Sequence, residues 1–210
     1  MAQFKTHLAG GMVAGAGVSV LGLFTYGLNL TQACAVFVIG SVGGVLPDLD
    51  SDSGKPLSLL FELISVLIPA LLFMSFVRQE WISPEFLVCY FTFSYLFINY
   101  VACTVIKRLT VHRGIMHSVP FALFCGGIGY LLFASSGKVI ATIAGLAVLA
   151  GCLTHLVLDE LNSFTLKFGF IPWLKRSSGT ALKLKSNSLA TNLLVYCLII
   201  IVAIAIFFVS

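Results

Sequence analysis

VIATIAGLAVLAGCLTHLVLDE, residues 139–160, runs through small and apolar residues without a charged or imidazole group until His155, and adds Asp159 four positions later. About 20 apolar residues in a helix rising 1.5 Å each cross a hydrocarbon layer of roughly 30 Å, so the stretch reads as a membrane span. Residues i and i+4 share one face of a helix, so its last turns present an imidazole and a carboxylate side by side. Outward from this segment, comparable apolar runs fall at about 8–28, 30–46, 57–77, 86–106, 115–135, 139–158 and 189–209. The expected fold is therefore an all-α, polytopic transmembrane helical bundle of six or seven spans, the second of them short.

Composition supports that reading. Hydrophobic residues are 59% of the 210 positions and charged residues 10%, against roughly 25% charged in a soluble domain. The length accommodates a single integral membrane domain over residues 1–210, within which 162–188 forms a basic, cytoplasmic or interfacial loop. Trp173 and the lysines of that loop suit headgroup depth and anionic lipid, although a loop that only sets topology has the same composition. Lys5 and the apolar run behind it resemble a signal peptide, but the run exceeds a usual h-region and is read as an uncleaved first span. Cys34, Cys89, Cys103, Cys125, Cys152 and Cys197 are scattered singly through apolar runs, which suits packing rather than a disulfide frame. Gly11 and Gly15 form a GxxxG, a spacing that permits close helix contact and is common by chance in apolar segments.

Lysine and arginine counts orient the spans. With the N-terminus in the cytoplasm, the inner segments hold Lys5, Lys55, Lys107, Arg108, Arg113, Lys167, Lys175, Arg176, Lys183 and Lys185, and the outer ones only Arg78 and Lys138. That orientation puts all four histidines and all four aspartates at the cytoplasmic face: His7 at the start of the first span, Asp48, Asp50 and Asp52 after the second, His112 and His117 around the entrance to the fifth, and His155 with Asp159 at the end of the sixth.

Neutral imidazole mixed with carboxylate suits a divalent metal such as zinc or manganese, and several carboxylates allow two ions to be bridged. Pro47 should end the second span at Leu46, and an extended backbone beyond it would turn Asp48 and Asp50 to the same side. His112 and His117 converge if Gly114 breaks the helix, leaving His112 on a loop and His117 in the first helical turn. Arg113 suits a phosphate clamp and equally a topology anchor. Asp52 suits a helix cap, Ser118 a capping group, and Glu62, about one turn inside the third span, a further ligand or a snorkelling group.

LPDLD at 46–50, HRGIMHS at 112–118, GCLTHLVLDELNSFTLKFG at 151–169 and THLAGG at 6–11 resemble, in order and spacing, the hallmark segments of the YdjM-like bacterial inner-membrane proteins. The pattern departs from theirs where SDSGKP follows the PDxD. The resemblance implies a metal-dependent hydrolase in the inner membrane, with His7, Asp48, Asp50, His112, His117, His155 and Asp159 as metal ligands.

These readings lead to a membrane-embedded hydrolase holding one or two divalent ions at the cytoplasmic interface and acting on the phosphoester of a lipid or lipid-linked molecule. Asp159 and Arg113 are its candidate catalytic groups. The expected partners are membrane lipid and the phosphoester substrate, with no nucleic acid. Two alternatives use the same residues: a metal-ion or proton-coupled transporter, which would place them near the midplane, and a non-catalytic protein whose helix ends a metal staples together.

Overall fold

The computed structural model describes residues 4–50, 55–76, 83–102, 104, 116–162, 164–167, 171–174, 183–186 and 188–209. Seven α-helices lie among them: α1 (Phe4–Tyr26), α2 (Leu30–Gly43), α3 (Lys55–Phe76), α4 (Pro84–Leu96), α5 (Val119–Leu132), α6 (Lys138–Leu161) and α7 (Leu189–Val209). The fold is thus the expected all-α membrane bundle, each helix sitting on one of the apolar runs. By length and hydropathy four segments can cross a membrane: Phe4–Tyr26, Leu30–Asp48, Lys138–Leu161 and Leu189–Val209. Phe61–Met74 and Val119–Leu132 are apolar but shorter. A small antiparallel hairpin, β1 (Phe164–Lys167) and β2 (Ile171–Leu174), lies within the basic loop.

Local chemistry sets the helix ends. Gly27, at φ +68°, turns the chain out of α1 in a conformation that a side chain disfavours. Asn29 then starts α2 through a reciprocal capping box with Gln32. The α2 helix ends at Gly43, earlier than the Pro47 stop expected from sequence, and Leu46–Asp50 forms a 3-10 turn. The backbone from Leu46 to Asp50 is therefore not the extended chain on which the pairing of Asp48 with Asp50 was argued.

The helices that build the site cross through glycines. A Cβ on Gly11 of α1 would lie 2.7 Å from the Ser41 carbonyl oxygen and 2.8 Å from the Gly44 Cα; one on Gly15 would lie 2.7 Å from the Phe37 carbonyl oxygen. Gly43 meets the Val148 backbone of α6 in the same way, and Gly151 of α6 meets Gly40 and Gly44. The GxxxG of α1 is therefore the crossing point of α1 and α2. In lipid, where apolar surface gains nothing by leaving the solvent, such backbone contact is a main source of helix association. A second glycine contact, Gly126 against Gly145, joins α5 to α6, and α7 packs on α5 where Val202 lies over Gly127. The buried core runs between these helices through Val36, Ala144, Ala147, Cys152 and Leu156.

Candidate metal centre

Four chain segments end at one end of this bundle: the start of α1, the 3-10 turn after α2, the start of α5 and the last turns of α6. Each brings a histidine or aspartate. His155 and Asp159 lie one turn apart on the inner face of α6, and both are buried. His7 is in the first turn of α1 and fully buried. Asp48 sits in the 3-10 turn. His117 immediately precedes Ser118, which caps α5 by accepting a hydrogen bond from the Phe121 amide at 3.3 Å. His117 thus stands just outside the helix rather than in its first turn.

His155 is oriented by the backbone. Its Nδ1 lies 2.8 Å from the Gly44 carbonyl oxygen, which can only accept, so Nδ1 carries the proton and Nε2 keeps its lone pair. This backbone-held tautomer is the usual support for a metal-binding imidazole. The lone pair faces other donors instead of solvent. His117 Nε2 is 3.4 Å from His155 Nε2. Asp159 Oδ2 is 3.5 Å from His117 Nε2 and 3.7 Å from His155 Nε2. Asp48 Oδ1 is 3.6 Å from each of the two imidazole nitrogens.

A divalent ion fits this donor set. Bonds of about 2.0–2.2 Å at tetrahedral angles separate ligand atoms by roughly 3.3–3.6 Å, the spacing of zinc sites built from histidine and aspartate. The five distances above fall in or just beyond that range. Donor atoms of His117, His155 and Asp159 all lie within 4.8 Å of one another, as do those of His7, Asp48 and His155. Among the donors, the side chains of Asp48 and His117 are 18% and 11% exposed, whereas that of His155 is fully buried.

A family model described as YdjM inner membrane protein matches residues 1–210, the whole chain. The chain belongs to that family. No curated protein and no solved structure matches it. The resemblance read from LPDLD, HRGIMHS and the 151–169 segment therefore holds over the full length of this YdjM-family chain, and with it the assignment to the inner membrane.

Of the residues singled out from the sequence, His7, Asp48, His117, His155 and Asp159 come together. His112, Arg113 and Asp52 lie outside the described residues, as does the side chain of Asp50. Glu62 is exposed on α3 and belongs to neither donor group; only its backbone carbonyl is engaged, by the Ser65 hydroxyl. Sequence reading missed Gly44, because its contribution is a carbonyl, which every residue has. It also left the basic loop detached, whereas the Val119 amide donates to the Lys183 carbonyl at 3.2 Å, holding that part of the loop against the start of α5. The Tyr196 hydroxyl fixes the next residue, donating to the Leu184 carbonyl at 2.9 Å.

Proposed function

We propose that this YdjM-family protein is a membrane-embedded metal-dependent hydrolase that cleaves a phosphoester of a lipid or lipid-linked molecule at the cytoplasmic interface. The observation that carries this reading is the donor cluster itself: imidazole and carboxylate atoms spaced for a divalent ion, at the helix ends. His117, His155, Asp48 and Asp159 would hold the ion, most simply zinc or manganese. When bound, such an ion supplies Lewis acidity toward a phosphoryl oxygen and acidifies water.

The protein's own groups have separable parts in this scheme. The Gly44 carbonyl keeps the His155 proton on Nδ1 and its ring in place. His7 and Leu156 are fully buried, and would form the inner wall of the cluster. Asp48, the most exposed of the four donors, stands at the edge from which a headgroup would enter. Arg113, four positions before His117 in the sequence, is the cation we assign to the substrate phosphate. The distribution of lysine and arginine supports a cytoplasmic N-terminus and hence a cytoplasmic site.

One observation favours a second reading. The donor group of His117, His155 and Asp159 is buried throughout, which suits a structural site closed to substrate. The metal would then only staple the helix ends. The test is a phosphoester and phospholipid hydrolysis screen on the purified, metal-loaded chain, with His117→Ala alongside. Turnover that is lost with the metal in His117→Ala supports the hydrolase. Stoichiometric metal without turnover on any phosphoester overturns it in favour of the staple.

A further inference from the structure

We propose that the centre holds two divalent ions bridged by Asp159, and that His7 is a ligand of the second; this rests on the metal-binding reading above. The two oxygens of Asp159 face different partners. Oδ2 is turned to His117 and His155, at 3.5 and 3.7 Å, while Oδ1 lies 3.2 Å from His7 Nε2. A carboxylate that divides its oxygens between two sets of nitrogen donors is the arrangement that bridges ions roughly 3.5–4 Å apart.

His7 supplies the independent observation. It is fully buried, and among the described residues neither Nδ1 nor Nε2 has a hydrogen-bond partner. Its approach to Asp159 is close but not aligned as a hydrogen bond, so the distance alone does not satisfy the ring. Buried polar atoms are almost always paired, and an exception signals an unfilled role. The His7 ring stacks on that of His155, with centroids 3.6 Å apart and planes 15° from parallel. A neutral ring in that position would offer a lone pair to a metal.

The donor atoms divide in the same way: those of His117, His155 and Asp159 lie within 4.8 Å of one another, and those of His7, Asp48 and His155 form a second such group. Charge points the same way. Two divalent ions against the carboxylates of Asp48 and Asp159 leave two positive charges, the complement of a phosphate group.

The experiment is zinc titration of the full-length chain in detergent after chelation, read as bound metal per chain, on wild type, His7→Ala and His7→Gln. Two equivalents in wild type and one in both variants are expected. Glutamine can still donate to Asp159 Oδ1, so a His7 that merely props the carboxylate would be rescued by it; full wild-type stoichiometry in His7→Gln overturns the proposal. Manganese loading gives a second readout that does not depend on variant folding: wild type should show the electron-spin-resonance signature of an exchange-coupled pair. One zinc in wild type, or an isolated manganese spectrum at saturation, overturns the second ion and leaves the hydrolase reading standing. No bound metal at all overturns both.

Discussion

Gly11→Ala tests whether the glycine crossing positions the metal centre. The added Cβ would meet backbone atoms, Ser41 O at 2.7 Å and Gly44 Cα at 2.8 Å, which no rotamer change can move aside. To reach ordinary contact α1 must withdraw from α2 by roughly 0.7–1 Å. Overpacking of this kind costs about 1–3 kcal/mol. Alanine also returns up to about 1 kcal/mol as a better helix former than glycine, so the raw change in stability understates the clash. Gly17→Ala is the control, because nothing lies within 4 Å of its Cβ in the same helix. Both variants share the propensity gain, so their difference isolates the crossing, and Gly11→Ala should be the less stable by about 1–3 kcal/mol.

The same displacement reaches the site. His7 lies one turn from Gly11 in α1, and metal donors tolerate only about 0.2 Å of error. Zinc affinity should fall by about 10–100-fold in Gly11→Ala and stay unchanged in Gly17→Ala. The assay pairs equilibrium unfolding in detergent or bicelles with zinc titration. Equal stability of the two variants within about 0.5 kcal/mol, the usual range for a surface substitution, would refute the reasoning. So would a destabilised Gly11→Ala with wild-type zinc affinity, since the crossing would then be independent of the centre.

Removing zinc with a chelator should lower the unfolding temperature of wild type and leave His117→Ala unmoved; at metal 100-fold above its dissociation constant the stabilisation is about 2.7 kcal/mol, measured by thermal unfolding with and without chelator. Asp159→Asn removes a charge from the cluster at nearly constant volume, and should lose bound zinc while the purified protein stays helical by circular dichroism. If Arg113 holds the substrate phosphate, Arg113→Ala should lower kcat/KM by about 100-fold or more with metal stoichiometry unchanged. If all seven helices span and Phe4 lies on the cytoplasmic side, Val209 lies on the other, and reporter fusions at the two ends should give opposite signals.

Much of this was legible in the sequence because the membrane simplifies the code. Every backbone group must be satisfied within its segment, so long apolar runs become helices, and α1 to α7 follow the seven runs. The His155–Asp159 pair was legible because helical spacing alone fixes which side chains share a face. The backbone around Asp48 was less legible: Leu46–Asp50 is a 3-10 turn where the sequence suggested extended chain. The GxxxG at Gly11 was undervalued because a glycine is informative only with its counterpart. That counterpart is spread over Ser41, Gly40 and Gly44 on α2 and Gly151 on α6, positions that no local window compares.

The glycines and the ligands belong to one device. Gly11 is four residues after His7, Gly44 four before Asp48, and Gly151 four before His155. Gly44 touches the other two: an added Cβ on Gly11 would lie 2.8 Å from its Cα, and one on Gly151 2.8 Å from its amide nitrogen. Three backbones therefore meet at one point, about one helical turn, or roughly 5.4 Å, from the donors. At that point the Gly44 carbonyl also accepts a hydrogen bond from His155 Nδ1. Helices separated by ordinary side chains stand about 8–10 Å apart and can slide as those side chains repack. Backbones in direct contact have no such freedom, so the short donor distances follow from the crossing without the ion having to pull the helices together. Donors placed in this way would be set before any metal bound, which is the condition for an ion to be held in a fixed geometry rather than to impose its own.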